Sequence, residues 1–363
     1  MVCWISIWNV RSIIHGGFFC SVYVSGHFKP TLGTPFFVFK QKSTSQGDAL
    51  FPCCSPFLAC CLPAVCHKFV ILNVSRVQII ECPRDAMQGI KRWIPTAVKA
   101  AYLQQLLRVG FHTLDCGSFV SPKAIPQMAD TAEVLQQLDL SETQTKLSVI
   151  VANVRGARTA SSFSQVTYLG YPFSISENFQ MRNTHRTMAT AFEDLKEIVA
   201  IASAAQKKLI VYISMGFGNP YGDPWNTEIV AEWVARLSAV GVQIFSLSDT
   251  VGTATPEAIT TIFSFLKSNY NTLSFGAHFH TTYDSWREKV EAAYSAGCTR
   301  FDGAIKGHGG CPMAKDELVG NMPTEKLLSF FTAKKVATNI HPLHFEIAYN
   351  MSHDIFLPKK SSS

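Results

Sequence analysis

Thr272-Leu273-Ser274-Phe275-Gly276-Ala277-His278-Phe279-His280-Thr281-Thr282 alternates small or polar residues with apolar ones. A period of two marks a β-strand, in which residues two apart share a face. Over 272–280, Ser274, Gly276, His278 and His280 face one way, and Leu273, Phe275, Ala277 and Phe279 the other. The apolar face requires a layer of helices, and the small, polar face suits the inside of a closed structure. Two imidazoles at one strand end, facing one way, can hold a divalent metal. His-x-His alone is a weak signal, because backbone or water can satisfy each ring equally well. The surrounding chain has to decide.

Outward from this strand the same alternation recurs. After it, helix 285–296 leads to a strand at 299–305. Before it, strand 243–247 ends at Asp249, and Thr255 caps the next helix with Pro256 in its first position. Further upstream, strands are expected at 77–81, 111–115, 146–151, 166–169 and 208–213. Helices are expected from Thr96, which can cap its helix, at 131–138, after Asn153, at 184–205 and after Asn226, with a last one at 324–331. Eight strands alternating with helices predict a (β/α)₈ TIM barrel. An open doubly wound sheet is the rival, but no glycine-rich nucleotide loop follows the first strand. The expected organisation is an N-terminal extension at 1–73, a TIM-barrel catalytic domain at 74–335, and a C-terminal helical segment and tail at 336–363.

The first residues differ in character. Residues 1–80 hold six basic residues against Asp48 alone, which is most of the chain's net charge of +6. The body is therefore nearly neutral and lacks the basic face of a nucleic-acid binder. Seven of the 11 cysteines precede residue 70 and show no zinc-finger spacing. Four scattered body cysteines fit a reducing compartment rather than a disulfide framework. The apolar run 51–72 is interrupted by Pro52, Pro56 and Pro63, so no membrane span is expected. Scarce acids fit a targeting presequence, and an over-extended start is the other reading of 1–73.

Active sites of such barrels form where strands end. Arg84 and Asp85 follow the first strand, Asp115 ends the second, Asn153 follows the third, and Asp249 ends the sixth. His278 and His280 end the seventh, and Gly307-His308-Gly309-Gly310-Cys311 follows the eighth. Asp85 with two neutral imidazoles leaves positions open for substrate oxygen, as a catalytic metal needs. Oxygen-rich completion favours Mg²⁺ or Mn²⁺, while Zn²⁺ and Fe²⁺ remain compatible. The plainer reading of Asp85 is a cap on the following turn. Arg84 can stabilise an oxyanion, although a lone arginine usually ends in a surface ion pair. Asp115 and Asp249 read as acid/base groups or as orienters of the histidines and Arg84. Cys311, in a glycine loop, can carry a proton to substrate, where a lone cysteine is commonly buried and inert. His308 reads as structural or solvent-facing.

Arg84-Asp85-Ala86-Met87-Gln88, Gly117-Ser118-Phe119-Val120-Ser121-Pro122-Lys123, Ser248-Asp249-Thr250-Val251-Gly252, His278-Phe279-His280, Gly309-Gly310-Cys311-Pro312 and Gly320-Asn321 together resemble the 3-hydroxy-3-methylglutaryl-CoA lyase family. The resemblance runs from Val77 to Phe331. The Ser-Phe-Val-Ser-Pro-Lys run and the glycine-loop cysteine are particular to the lyase branch. Arg-Asp and His-x-His are shared with homocitrate and isopropylmalate synthases. The resemblance implies that Asp85, His278, His280 and Asn321 ligate Mg²⁺ or Mn²⁺. It also implies that Arg84 stabilises an enolate, Cys311 transfers a proton, and Asp115 and Asp249 support acid/base chemistry. The implied reaction cleaves 3-hydroxy-3-methylglutaryl-CoA to acetoacetate and acetyl-CoA. Ala86 stands where the motif usually has Gly, Asp115 where better-known members carry Glu, and Thr281 where Asp is common. Lys315-Asp316-Glu317-Leu318 looks closer to a bacterial-type subgroup. A Claisen-type synthase, a non-haem iron oxygenase and a metal-stabilised binding protein are the rival readings. The expected partners are an acyl-CoA substrate and a second copy in a homodimer, with no nucleic acid and no membrane. The expected compartment is the mitochondrial matrix, with the cytoplasm as alternative.

Overall fold

The structure, a computed structural model, describes residues 76–310 and 319–356. The expected extension at 1–73, Cys311 and the tail after Phe356 lie outside the described residues. Eight parallel strands follow one another: β1 (Gln78–Glu81), β2 (Thr113–Ser118), β3 (Lys146–Ile150), β4 (Val166–Ser174), β5 (Lys208–Ser214), β6 (Ile244–Asp249), β7 (Ser274–Thr281) and β8 (Arg300–Gly303). Each pairs with its neighbour in sequence, and β1 pairs with β8, so the sheet closes into the expected barrel.

The helices are α1 (Pro83–Gln88), α2 (Thr96–Leu107), α3 (Thr131–Gln136), α4 (Val154–Ser161), α5 (Glu177–Thr184), α6 (Met188–Ala204), α7 (Thr227–Ala239), α8 (Pro256–Asn269), α9 (Trp286–Ser295), α10 (Thr324–Ala333) and α11 (Pro342–Phe356). The outward strand faces meet them in one core, to which β7 contributes Phe275, Ala277 and Phe279. The inward faces differ. Ile150, Tyr168, Ile210 and Tyr212 form a separate cluster inside the barrel. Gly276 faces inward too, and a Cβ there would come within 2.9 Å of the Arg300 side chain.

Local signals set several ends. Thr255 caps α8 as expected, accepting from Ala258 N, and Asn226, after which a helix was expected, caps α7 by accepting from Ile229 N. Thr96 does not cap α2. It is the first helical residue, and its hydroxyl donates to Asp130 at 2.7 Å instead. The helix expected at 184–205 is α6, which starts a few residues later, and a separate helix that was not expected, α5, precedes it. His185 ends α5 in the left-handed region at φ 55°, and Thr187 caps α6 by accepting from Thr190 N. β4 runs through Pro172 to Ser174, well past the expected end at Leu169. The register of β2 against β3 shifts between Asp115 and Gly117. A two-residue strand, β9 (Gly320–Asn321), pairs antiparallel with β7 and sets Asn321 opposite His280. Among the described residues no helix is long and apolar enough to cross a membrane.

Candidate metal and catalytic site

α1 begins with Pro83, whose fixed φ suits the first helical position. This turn directly follows β1 and buries Arg84 and Asp85 at the mouth of the barrel. Asp85, His278 and His280 each offer one ligand atom, and these atoms lie within 4.8 Å of one another. His278 and His280 share the inward face of β7, as the alternation predicted.

The imidazoles are held by their Nδ1 atoms. His280 Nδ1 donates to Thr250 O at 2.9 Å. That bond leaves Nε2 as a lone-pair donor, and Nε2 is buried with no hydrogen-bond partner. His278 Nδ1 lies 3.1 Å from Asp302 Oδ2. A carboxylate accepts, so Nδ1 carries the proton and Nε2 is again free. Burial works against a charged His278, but the hydrogen bond and charge of Asp302 outweigh it and raise its pKa. Burial, with His278 beside it, pushes the His280 pKa down, which keeps that ring neutral.

Asp85 is ionised. Burial favours its neutral form, but Arg84, His278 and His280 outweigh burial and hold the carboxyl below its ordinary range. Its Oδ1 accepts from Arg84 Nη1 at 2.9 Å and from the Gln88 amide, and its Oδ2 from Asn321 Nδ2 at 2.7 Å. Asn321 Nδ2 also donates to His308 O at 2.9 Å, which turns the amide oxygen into the group's only acceptor. One carboxylate, two imidazoles and one amide oxygen fit a divalent cation, and the buried, unpartnered His280 Nε2 needs such a partner.

Beside this group Arg84 donates from Nε and Nη2 to Asp115 Oδ2, at 3.0 and 2.5 Å. Burial opposes the guanidinium charge, but Asp115 and Asp85 outweigh it, so Arg84 stays charged. Burial raises the Asp115 pKa despite Arg84, and its Oδ1 is buried without a partner. The shorter aspartate therefore still reaches Arg84 and keeps one oxygen free.

From the sequence, Asp249 reads as an acid/base group or as an orienter of the histidines and Arg84. Its Oδ2 accepts from Lys289 Nζ at 2.7 Å and its Oδ1 from Ala254 N at 3.0 Å, and the residue is 1% exposed. Both oxygens are paired, one with the Lys289 ammonium of α9 and one with the backbone just ahead of α8. The same Lys289 ammonium donates to His280 O at 3.0 Å, so the pair braces the end of β7. Asn153 likewise caps α4, accepting from Gly156 N. His308 stacks on Phe356, with ring centroids 4.5 Å apart, and serves the site through its carbonyl. Gly309, at φ 89°, passes so close to Asp85 O and Asn321 Nδ2 that a Cβ would lie 2.7 Å from each. That loop leads into Cys311, which lies outside the described residues.

Three residues escaped the sequence reading. Asp302 holds His278, and Ser246 Oγ donates to the same oxygen at 3.0 Å. Its signal was available: an acid in the expected strand 299–305, next to the histidine strand. Lys289 had none, because a lysine on an amphipathic helix normally reads as surface. Glu81 is buried and accepts from Ile305 N at 2.8 Å and Thr324 Oγ1 at 2.5 Å.

Fold and site together define an α/β barrel whose mouth carries a carboxylate–imidazole cluster that could hold a cation. The family model described as HMGL-like matches residues 76–349, and the chain belongs to that family. It is 31% identical over 283 residues to mitochondrial hydroxymethylglutaryl-CoA lyase of Bos taurus, covering 77% of this chain and 86% of the relative. Another relative, from Rattus norvegicus, is named as a cytoplasmic form. The crystal structure of Bacillus subtilis HMG-CoA lyase superposes with a TM-score of 0.73 at 29% identity, covering 79% of this chain and 96% of that one. An HMG-CoA lyase of Acinetobacter baumannii, solved with coenzyme A and 3-methylmalate, superposes at 0.72 and 28% identity, covering 78% and 92%.

Proposed function

We infer that this protein is a divalent-metal-dependent carbon–carbon lyase that cleaves 3-hydroxy-3-methylglutaryl-CoA to acetoacetate and acetyl-CoA. One observation carries the reading. Asp85, His278 and His280 converge beside the charged Arg84–Asp115 pair, with His280 Nε2 aimed into the group and unpartnered. We assign Asp85, His278, His280 and Asn321 as ligands. When bound, Mg²⁺ or Mn²⁺ supplies Lewis acidity toward the tertiary hydroxyl and carbonyl oxygens of the substrate.

The chain's own groups then divide the work. Asp115 Oδ1 is the free acceptor nearest to Arg84 and takes or relays the hydroxyl proton. As the C–C bond breaks, its electron pair passes into the acetyl-CoA enolate, and the former carbinol becomes the ketone of acetoacetate. Arg84 is a fixed charge for the enolate oxygen, held in place by Asp115 and Asp85, so no reorganisation is needed when that charge develops. Cys311, which follows Gly309-Gly310 in the sequence, protonates the enolate carbon. Asp249 and Lys289 position His280 and do not touch substrate.

A product assay tests this. The purified chain with Mg²⁺ or Mn²⁺ should release acetoacetate and acetyl-CoA in equal amounts, lose this activity in EDTA, and be strongly impaired by Cys311→Ala. No products from folded, metal-loaded protein would overturn the substrate assignment. The synthase alternative is disfavoured by the lyase relatives and by the glycine-loop cysteine. A homodimer and a mitochondrial matrix or cytoplasmic location are part of the proposal, checked by light scattering and by cell fractionation.

A further inference from the structure

His278 has two ring nitrogens, and the centre described above uses only Nε2. At its other edge lies a second set of ligand-type groups. The Cys82 thiol, a His278 ring nitrogen and an Asp302 carboxylate oxygen all lie within 4.8 Å of one another. They come from three laterally adjacent strands: Cys82 directly follows β1, which pairs with β8, and β8 pairs with β7 through Asp302 and His278. Cys82 is 1% and Asp302 3% exposed. Cys116 and Cys298 direct their thiols to backbone carbonyls, whereas Cys82 Sγ has no hydrogen-bond partner among the described residues. Asp302 Oδ1 is also buried and unpartnered. Two unsatisfied, buried groups of anionic ligand type therefore flank one imidazole edge.

We propose that Cys82, His278 and Asp302 form a second cation site, for a thiophilic divalent ion such as Zn²⁺ or Cd²⁺, which competes through His278 with the Asp85–His278–His280 centre. The proposal rests on the reading of that centre as a metal site.

Softness separates the two sites. The first offers oxygen and nitrogen only, which suits Mg²⁺ or Mn²⁺. The second adds a thiolate, which selects soft ions. Thiolate, carboxylate and neutral imidazole balance a divalent charge in a place where an uncompensated ion would be costly. Ligand atoms around tetrahedral zinc stand about 3.5 Å apart, as bond lengths near 2.0–2.3 Å require. The present group, its atoms within 4.8 Å of one another, would have to close toward that spacing, and the larger Cd²⁺ needs less closure.

Competition follows from proton bookkeeping. When the ion binds, Cys82 releases its thiol proton to solvent. The His278 proton leaves Nδ1, which becomes the ligand, and moves to Nε2. Nε2 then bears a hydrogen and offers no lone pair to the first centre. The two ions thus exclude each other through one imidazole, and the weakening is reciprocal. The outcome is an enzyme inhibited by traces of soft metal and protected by an excess of hard metal.

The full-length protein, stripped of metal by chelation, is titrated with Cd²⁺ in the presence of Mn²⁺, with free Mn²⁺ read by electron paramagnetic resonance. Anomalous difference maps from Cd²⁺-soaked crystals locate the ion. Cd²⁺ should displace Mn²⁺, and its strongest anomalous peak should lie between Cys82, His278 and Asp302. In Cys82→Ser the Cd²⁺ affinity should fall at least about tenfold, with Mn²⁺ binding retained as the check on folding. Equal Cd²⁺ affinity in Cys82→Ser, or a peak confined to the Asp85 centre or to other cysteines, would overturn the proposal. Unchanged Mn²⁺ binding in Asp85→Ala would instead count against the first centre, and the anomalous peak would still decide this one.

Discussion

Replacing Asp302 with asparagine tests how the barrel prepares His278. In the native protein, Asp302 Oδ2 accepts from His278 Nδ1 at 3.1 Å and from Ser246 Oγ at 3.0 Å. Asparagine keeps the shape and one acceptor oxygen but removes the charge. The ring should stay in place, while its Nε2 becomes a poorer electron donor. Loss of such an outer partner typically costs about 10–100-fold in metal affinity, or about 1.4–2.8 kcal/mol. A Mn²⁺ titration followed by electron paramagnetic resonance should show a loss in that range, with kcat largely recovered at saturating metal. The pH dependence has a definite sign. Asp302 raises the His278 pKa, and a protonated ring cannot ligate, so acidification drives the metal off. Asp302→Asn lowers that pKa, and the acid limb of Mn²⁺ binding should move to lower pH even as the plateau affinity falls. A Mn²⁺ affinity within twofold of the parent, with an unmoved acid limb, would refute this account of Asp302.

Arg84→Lys should lower kcat by roughly 10²–10³-fold, the usual cost of losing an oxyanion donor, with a much smaller change in KM. A change confined to KM would place Arg84 in ground-state binding instead. Lys289→Met leaves Asp249 buried without its cation and should destabilise the fold by about 3–5 kcal/mol. Lys289→Met combined with Asp249→Leu should recover much of this in thermal melts, and no recovery would mean that Lys289 acts without Asp249. Burial raises the Glu81 pKa from 4.5 to about 8. Between those values the native state holds a proton that the unfolded chain has lost, so this group's stabilisation is complete below pH 4.5 and fades as pH rises to about 8. Glu81→Gln removes this dependence, so Tm of the variant relative to the parent should climb across that window. A flat difference would show that Glu81 titrates normally.

Much of the architecture could be read from local pattern. The alternation at 272–280 placed His278 and His280 on one face, and the structure keeps them there. The Thr255 cap and the helix start after Asn226 were readable because each needs only its own helix. The start of α6 was placed a few residues early and α5 was not expected, because the boundary between them depends on a left-handed His185 and the Thr187 cap. Thr96 misled for a related reason: Asp130, 34 residues away, takes its hydroxyl.

The sequence by itself determined the eight-fold alternation of strand and helix, the pairing of two imidazoles on β7 and the Arg84-Asp85 turn after β1. These are properties of period and neighbour, decided over a few residues. Tertiary structure alone decided who holds whom. Barrel closure sets Asp302 beside His278, turns Asp249 toward Lys289, and brings Asn321 to Asp85 across 236 residues of chain. A polar side chain's role depends on which group desolvates and pairs with it, and in a closed barrel that partner comes from a different strand.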